Sequence, residues 1–457
     1  AITIFSRLRY SLLVSANRLL LPTISGLVRA TPNWSNLAFI ASSLSNIATS
    51  VKNVGKGNKN NFLGFGFSIL EFCRMAYKKF SASRIFDGQQ MLDKDKVLIT
   101  TEQGAVEAIV PRQDAGDDIL QLEGILSPGF INCHCHLELS HLKGAIPEKT
   151  GLIDFVWNVI RNRHYAGEEI LQAIEKAEQE MLQNGIVAVG DICNNTLTAP
   201  QKTKGNLRYH NFIEASGFVN ANAPARFQQA VDIYNTFSQG SAFNSIVPHA
   251  PYSVAEELWK RIIGFPGNQL LTIHNQETIP ENELFMQKQG GFLPFYEKMN
   301  IDISWFTASG KTSLQTCLPN FLPGQEVILV HNVYTSREDV LFSKQPPHPS
   351  CYWCLCPNAN LYITGQLPDM QMMMEEQCEI VLGTDSLASN HQLSVLAEMK
   401  SIQQQFPSIP LQQLFSWATL NGAKALKADD VLGSFEKGKK PGIVICEEDL
   451  EGCRRLL

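Results

Sequence analysis

Eight short apolar segments alternate with longer, helix-like stretches between residues 128 and 430. Strands that alternate with helices are typical of a parallel sheet, and eight of them are what a (β/α)8 TIM-like barrel requires. The predicted strands are Phe130–Cys133, Ile186–Val189, Tyr209–Ile213, Ser245–Val247, Leu270–Ile273, Val327–Val330, Tyr352–Leu355 and Ile380–Leu382. The sequence therefore predicts an α/β fold organised around one barrel, which places its chemistry at the carboxyl ends of the strands.

Two of the intervening stretches predict helices, at Leu152–Arg163 and at Glu168–Asn184. The second has acidic residues in its first turn and stops at Asn184-Gly185, which is a typical end signal for a helix.

The first predicted strand ends in the sequence Cys133-His-Cys-His136. Residues two apart on a strand point to the same side, so His134 and His136 can reach one metal ion. Two histidines at the surface end of a strand are the alternative interpretation, and a lone His-x-His does not decide between them. The other strand ends must be considered together with it.

Four further strands end in groups of the kind that a metal-dependent hydrolase uses. His249 follows strand four, His274 ends strand five with Glu277 three residues later, His331 ends strand six, and Asp385 follows strand eight. Three histidines and an aspartate suit Zn²⁺ or another borderline divalent ion and leave a position for water. Taken singly, each of these side chains has a structural alternative, such as a helix cap for Asp385.

Short alternating segments on either side of the barrel region predict a small β domain built from both ends. Its first part is residues 75–127 and its returning part is residues 431–457, with the barrel at residues 128–430 between them. Turn signals at Asp87-Gly88 and Gln103-Gly104, and a short strand at Ile443–Cys446, support this organisation. We expect a β-sandwich.

Residues 1–74 differ from the rest in composition. They contain eight Lys or Arg residues and one acidic residue, Glu71, and are rich in Ser, Asn and Leu. We interpret them as a basic extension outside the enzyme core: translated upstream sequence with synthesis starting at Met75 is the favoured hypothesis. A targeting presequence and a helical extension are the alternatives.

The remaining 383 residues carry a net charge of −13, which argues against nucleic acid as the main partner. The sequence contains no uninterrupted apolar run of about 18 residues, so we expect no membrane span. Eleven irregularly spaced cysteines fit a reducing compartment better than a disulfide framework. The prediction is a cytoplasmic protein that acts on a small molecule; its oligomeric state is open, with a homo-oligomer among the outcomes.

The ordered set of His-x-His, His-x-x-Glu, a strand-six His and Gly383-Thr-Asp385 resembles the amidohydrolase superfamily. It is most similar to the branch of adenosine-type, S-adenosylhomocysteine, guanine and aminodeoxyfutalosine deaminases and triazine chlorohydrolases. The resemblance runs from about Met75 to Cys446. One departure is Pro441-Gly442, where the family often has Ala-Asp, and it concerns the β domain.

The resemblance implies a role for each of the matching residues. The metal ligands would be His134, His136, His274 and Asp385, around one ion, Zn²⁺ or alternatively Fe²⁺. Glu277 would transfer protons, with Asp385 accepting the first, and His331 would orient the attacking water. His249 would bind substrate.

Two segments narrow the resemblance to the aminodeoxyfutalosine deaminase-like subgroup: His136-Leu-Glu-Leu-Ser140 and Cys356-Pro-Asn-Ala-Asn360-Leu-Tyr362. Glu138 and Asn360 are accordingly predicted to contact substrate, with a capping or salt-bridging acid as the alternative for Glu138.

The function predicted from these residues is hydrolytic deamination of an aminopurine base or nucleoside with release of ammonia. Hydrolysis of another C–N or C–Cl bond, as in an amidohydrolase or chlorohydrolase, is one alternative. A non-catalytic barrel that serves as a scaffold is the other.

Overall fold

The computed structural model describes residues 77–457, so the predictions for residues 1–74 and for the start of the β domain at Met75 lie outside the described part. Seven strands precede residue 130. They are β1 (Tyr77–Ser81), β2 (Arg84–Phe86), β3 (Met91–Leu92), β4 (Lys96–Thr101), β5 (Val106–Pro111), β6 (Ile119–Gln121) and β7 (Ile125–Pro128). The chain bends at residues 82–83, so β1 and β2 belong to different sheets.

These strands form two sheets, and the C-terminus returns to the second. The first sheet has the order β5-β4-β1-β6; the second has the order β17-β16-β7-β2-β3, with β16 (Ile443–Cys446) and β17 (Cys453–Arg455). Strand β16 pairs antiparallel with β7, so the C-terminal segment shares a sheet with the segment that precedes β8. Side chains of both sheets form one apolar cluster that includes Phe80, Leu98, Ile85, Leu126 and Ile443.

The next eight strands, β8 to β15, each contain one of the eight predicted segments. They are β8 (Phe130–Cys135), β9 (Ile186–Cys193), β10 (Arg208–Ala215), β11 (Asn244–Pro248), β12 (Leu270–Asn275), β13 (Glu326–His331), β14 (Ser350–Leu355) and β15 (Glu379–Leu382). They form two four-stranded parallel sheets, β8 to β11 and β12 to β15 in chain order. Strand β8 is buried along its whole length, as expected for a strand covered on both faces.

The edges of the two parallel sheets meet on both sides. At one side the amide of His274 donates to the carbonyl of His249 at 3.0 Å, which links β12 to the end of β11. At the other side Cys135 and Asp385 form a parallel bridge, and the amides of Thr384 and Asp385 both donate to the carbonyl of His134 at 3.0 Å. Residues from β8, β11, β12 and the end of β15 are therefore neighbours.

Helices alternate with these strands, so the predicted α/β alternation is confirmed. They are α1 (Leu152–Asn162), α2 (Gly167–Gln183), α3 (Ala199–Lys202), α4 (Ala223–Ser238), α5 (Glu256–Ile263), α6 (Ile279–Gln287), α7 (Phe292–Lys298), α8 (Ser313–Cys317), α9 (Arg337–Ser343), α10 (Pro357–Ile363), α11 (Met370–Glu375), α12 (Val395–Gln405), α13 (Leu411–Ser416) and α14 (Gly422–Ala425). Helix α2 ends where the sequence predicts, and Gly185 adopts φ 75° after it, which glycine tolerates without steric cost. Within residues 77–457, no helix combines the length and apolar character needed to cross a membrane.

Candidate metal centre and catalytic site

Three of the predicted histidines converge on one point. The Nε2 atom of His136 lies 3.2 Å from Nε2 of His134 and 3.3 Å from Nε2 of His274. The Oδ1 atom of Asp385 lies 3.6 Å from His134 Nε2 and 3.4 Å from His136 Nε2. All four side chains are buried. The sequence prediction that these four residues lie together agrees with this geometry.

A hydrogen bond fixes which nitrogen of His274 faces this point. Its Nδ1 lies 2.7 Å from the carbonyl oxygen of His249, and a carbonyl can only accept, so Nδ1 carries the proton. The lone pair is therefore on Nε2, directed at the other two histidines. Three imidazole nitrogens and one carboxylate oxygen around one point make a donor set that suits a borderline divalent cation.

The charge state of the histidines agrees with a cation site. Burial lowers the pKa of His136 to about 3 and places the pKa of His274 well below its ordinary value. Burial acts in the opposite direction on Asp385, but the hydrogen bond from His134 and the nearby His136 outweigh it and hold the pKa of Asp385 well below its usual range. The imidazoles of His136 and His274 are thus neutral and the carboxylate of Asp385 is ionised, which are the protonation states that bind metal.

The backbone of the β15 end brings Asp385 into place. A Cβ atom at Gly383 would lie 2.8 Å from Cβ of His134 and 2.9 Å from Sγ of Cys354, so only glycine lets β15 approach β8 this closely. Asp385 then adopts φ 57°, and its Oδ2 accepts a hydrogen bond of 2.6 Å from Ser389.

Glu277 and His331 lie beside the three convergent histidines. The Oε1 atom of Glu277 lies 3.7 Å from Nε2 of His331, and both side chains are buried. Burial raises the pKa of Glu277 to about 7, against the opposing charge of His331. A carboxyl group with a pKa near neutrality both gives and takes protons under ordinary conditions.

Asn360 contacts His331. Its Oδ1 lies 2.8 Å from His331 Nδ1, and Asn360 is 1% exposed. With this amide orientation His331 Nδ1 is the donor, and its Nε2 faces Glu277. The Nδ2 atom of Asn360 has no hydrogen-bond partner among the described residues. The predicted contact of Asn360 with substrate is therefore an untested proposal, whereas its contact with His331 is a feature of the structure.

His249 lies next to the same centre, with its ring centroid 4.8 Å from that of His274. Its Nδ1 is 2.7 Å from the hydroxyl of Ser253, and burial lowers the pKa of His249 to about 4. The ring is therefore neutral at physiological pH.

Glu138 is buried near the same strand ends, and its side chain binds the backbone of the loop after β9. Its Oε2 accepts hydrogen bonds from the amides of Asn194 at 3.0 Å and Asn195 at 3.2 Å, and Arg163 lies 3.8 Å from Oε1. Oε2 of Glu138 thus caps two backbone amides, in agreement with the capping alternative considered for this residue. The Oε1 atom has no hydrogen-bond partner in the described part of the chain.

Glu214, the penultimate residue of β10, is a site residue that sequence reasoning missed. Its Oε2 lies 3.9 Å from His274 Nδ1 and has no hydrogen-bond partner within residues 77–457, and burial raises the pKa of Glu214 to about 8. Its position at the carboxyl end of β10, the third predicted strand, could have identified Glu214, because the same criterion selected the histidines. Glu214, His249 and His274 also lie close enough to hold a metal, but Nδ1 of His274 is already bound to the carbonyl of His249.

Asp191 and Lys202 form a buried ion pair that the sequence did not reveal. Their charged atoms are 2.5 Å apart, and the side chains are 0% and 6% exposed. The second oxygen of Asp191 accepts a hydrogen bond of 2.8 Å from the amide of Leu137, directly after His136. The pair therefore supports the backbone that carries the first two histidines.

The family profile described as "Amidohydrolase family" matches residues 125–454. The chain belongs to the amidohydrolase family. Amidohydrolases use a divalent metal ion, and the chain is a hydrolytic enzyme that acts on C–N bonds.

The chain is similar to one deaminase in sequence and to two deaminases of known structure in fold. The 5-methylthioadenosine/S-adenosylhomocysteine deaminase of Teredinibacter turnerae is 27% identical over 380 residues, which cover 78% of this chain and 80% of that protein. Helicobacter pylori aminofutalosine deaminase in complex with methylthio-coformycin superposes with a TM-score of 0.69 at 22% identity, covering 81% and 92% of the two chains. A zinc-bound adenosine deaminase from Xanthomonas campestris gives a TM-score of 0.61 at 18% identity, covering 81% and 84%. The two structural likenesses concern the fold.

Proposed function

We propose that this amidohydrolase is a metal-dependent deaminase of an aminopurine base or nucleoside, of the adenosine, S-adenosylhomocysteine or aminodeoxyfutalosine type, and that it releases ammonia. The observation that carries the proposal is the buried Glu277, with a pKa of about 7, beside the convergent His134, His136, His274 and Asp385. The names of the relatives support an adenine-type substrate.

The metal ligands in this proposal are His134, His136, His274 and Asp385. One divalent ion held there, Zn²⁺ with Fe²⁺ as the alternative, would polarise and acidify a water molecule. Side chains of the protein carry out the proton transfers, orient the water and bind the substrate.

Glu277 is proposed as the group that moves protons. Asp385 accepts the first proton of the attacking water, and this proton ends on the hydroxylated product. The carboxylate of Glu277 takes the second proton at Oε1 or Oε2 and delivers it to the nitrogen that leaves as ammonia. His331, held through Nδ1 by Asn360, orients the water with Nε2. Proton transfer by a positioned carboxyl group contributes about 10²–10⁴-fold to a rate.

His249, Glu138 and Asn360 are proposed to bind substrate, and Glu214 is added to them. The same feature supports substrate binding by Glu138 and by Glu214: each has one buried carboxyl oxygen without a hydrogen-bond partner in residues 77–457. Leaving a buried acceptor unsatisfied costs about 1–3 kcal/mol, and a hydroxyl or amino group of the substrate would satisfy it.

We also propose the finer architecture and setting. The two parallel sheets close into a (β/α)8 barrel, residues 128–430, and the two outer sheets form a β-sandwich from residues 75–127 and 431–457, with residues 1–74 as a basic extension. Hydrogen bonds at both edges of the parallel sheets support the barrel, and the shared apolar cluster supports the sandwich. The protein is proposed to act in the cytoplasm on a small molecule rather than on nucleic acid or at a membrane, with a homo-oligomer as one outcome for its assembly.

The proposal is tested by measuring ammonia release with adenosine, S-adenosylhomocysteine, methylthioadenosine, guanine and aminodeoxyfutalosine. We expect release from at least one of them. Chloride release from a chlorotriazine, or acid release from a cyclic amide, in the absence of any ammonia would favour the alternative hydrolase, and no product from any of them would favour the scaffold.

The role of Glu277 is tested by Glu277→Gln, which keeps the shape but cannot move a proton. We expect a loss of activity of about 10²-fold or more with unchanged metal content. Glu283→Gln, an exposed position on the following helix α6, is the matched control. Full activity in Glu277→Gln would contradict the mechanism.

A further inference from the structure

Two cysteines face each other across the C-terminal hairpin. Strands β16 and β17 are antiparallel, and Cys446 is directly opposite Cys453 in their register. The connecting turn, residues 447–452, is mostly exposed. Both cysteines are in the thiol form in this structure.

The hydrogen bonds of the hairpin show which kind of position this pair occupies. The amide of Glu447 donates to the carbonyl of Gly452 at 2.9 Å, and the amide of Leu456 donates to the carbonyl of Ile443 at 2.8 Å. Glu447 and Gly452 are therefore a hydrogen-bonded pair, and so are Ile443 and Leu456. In an antiparallel ladder, hydrogen-bonded pairs alternate with pairs that exchange no backbone hydrogen bonds. Cys446 and Cys453, next to the pair of Glu447 and Gly452, are a pair without backbone hydrogen bonds.

Pairs without backbone hydrogen bonds bring the two side chains closest together. Their Cα atoms are about 4.5 Å apart, which lies within the range of about 4.4–6.8 Å that a disulfide spans. Residues directly opposite each other also share one face of the sheet, so the two sulfur atoms lie on the same side.

The surroundings make one thiol accessible and keep the other covered. Cys446 is 1% exposed, whereas Cys453 is half-buried next to the exposed turn. A hydrogen bond from the Cys446 thiol lowers the pKa of Cys453, and the same contact, together with burial, raises the pKa of Cys446. The outer sulfur is therefore the nucleophile and the inner one its resolving partner.

We propose that Cys446 and Cys453 form a reversible disulfide, a covalent modification site that joins the last strand of the chain to the strand before it. The oxidant is a small disulfide such as oxidised glutathione. The Cys453 thiolate attacks one sulfur of the oxidant, which releases one reduced glutathione and leaves a mixed disulfide. Cys446 then attacks the Cys453 sulfur, releases the second glutathione, and the two cysteines together lose two protons and two electrons.

The disulfide between Cys446 and Cys453 would stabilise β17, the edge strand of the sheet β17-β16-β7-β2-β3. Strand β17 has only three residues and pairs only with β16 among the described strands, so it depends on few backbone hydrogen bonds. Closing the turn covalently restricts its opening. We expect slower amide hydrogen exchange at residues 453–457 after oxidation, and reversal by dithiothreitol.

The sequence of the turn gives a direct test. Native protein is incubated with oxidised glutathione, its remaining thiols are alkylated, and the unfolded chain is cleaved on the carboxyl side of glutamate. Cleavage after Glu447, Glu448 or Glu451 separates the two cysteines. We expect their two fragments to remain linked, with a mass 2 Da below the sum of the reduced fragments, and to separate on reduction.

Two variants make the assignment specific. Cys453→Ser should abolish the linked fragments, whereas Cys378→Ser, at another half-buried cysteine, should leave them unchanged. Alkylation of both cysteines after native oxidation, arrest at glutathione attached to Cys453, or linkage only in denaturant would each overturn the proposal. No enzymatic activity is read, so the outcome is independent of the proposed deamination.

Discussion

At the scale of single residues, hydrogen bonds decide what each site side chain can do. The carbonyl of His249 accepts a hydrogen bond from Nδ1 of His274, which keeps the proton on Nδ1 and leaves Nε2 for a cation. In the same way, Oδ1 of Asn360 accepts a hydrogen bond from Nδ1 of His331, whose Nε2 faces Glu277. Such contacts around a histidine fix both its tautomer and its orientation.

Removing the Asn360 amide should therefore impair the reaction. In Asn360→Ala, His331 loses the acceptor at Nδ1 and can place its proton on Nε2, and we expect kcat to fall by about 10-fold, the equivalent of one hydrogen bond. Asn358→Ala is the control, because Asn358 is on the same helix and bonds Ser401 instead. Equal kcat values for the two variants, measured at saturating substrate, would refute the positioning role.

The buried charge at Lys202 gives a second prediction at this scale. Lys202→Met leaves the Asp191 carboxylate buried without its cation, which costs about 3–5 kcal/mol of unfolding free energy. Lys204→Met, which breaks the exposed pair with Glu175, should cost about 0–1 kcal/mol. Urea unfolding of both variants measures the difference, and similar values would show that the buried pair is not important for stability.

At the scale of elements, the site depends on how closely β8 and β15 approach each other. The Asn132 side chain donates to the Thr384 hydroxyl at 2.8 Å and accepts from the Thr384 backbone amide at 3.0 Å. Gly383 lies against His134 and Cys354. These contacts set the distance between the first two histidines and Asp385. The sequence motif Gly-Thr-Asp thus has a structural meaning at each of its three positions.

A methyl group at position 383 should disturb the metal centre without unfolding the chain. In Gly383→Ala the strand must shift, which costs about 1–3 kcal/mol of stability and moves Asp385 away from the histidines. We expect weaker zinc binding in a competition titration with a chelator. Gly167→Ala is the control, since a Cβ atom there meets nothing within 4 Å, and its zinc affinity should equal that of the unchanged protein.

At the scale of the whole molecule, buried carboxyl groups link stability to pH. Burial raises the pKa of Glu398 to about 8 and that of Glu281 to about 7. Each group binds its proton more tightly in the folded than in the unfolded chain. Its contribution is therefore complete below pH ~4.5 and is lost as the pH rises through the folded-state pKa.

The unfolding free energy should consequently fall as the pH rises from ~4.5 to about 8, and the contribution of these two groups should level off above that. In Glu398→Gln this decline should be shallower, because the substituted side chain does not titrate. Glu436→Gln, at an exposed glutamate, should keep the original slope. Denaturant unfolding at several pH values checks the prediction, and identical slopes for all three proteins would contradict it.

The sequence by itself determined the eight parallel strands, their alternation with helices, and the residues that meet at their carboxyl ends. These follow from local patterns, namely apolar segments of strand length and the fixed edge at which parallel strands end. Family membership was also contained in the order of His134, His136, His274, Glu277 and Asp385, and the profile match confirms it.

Only the tertiary structure decided the contacts between elements that are distant in the chain. It placed Lys202 against Asp191, Asn360 against His331, and Glu214 beside His274, and it split the first β segment between two sheets. The physical reason is that burial and hydrogen bonding depend on which side chains arrive from other strands. A lysine or glutamate in the sequence therefore does not reveal whether it will lie in solvent or in the core.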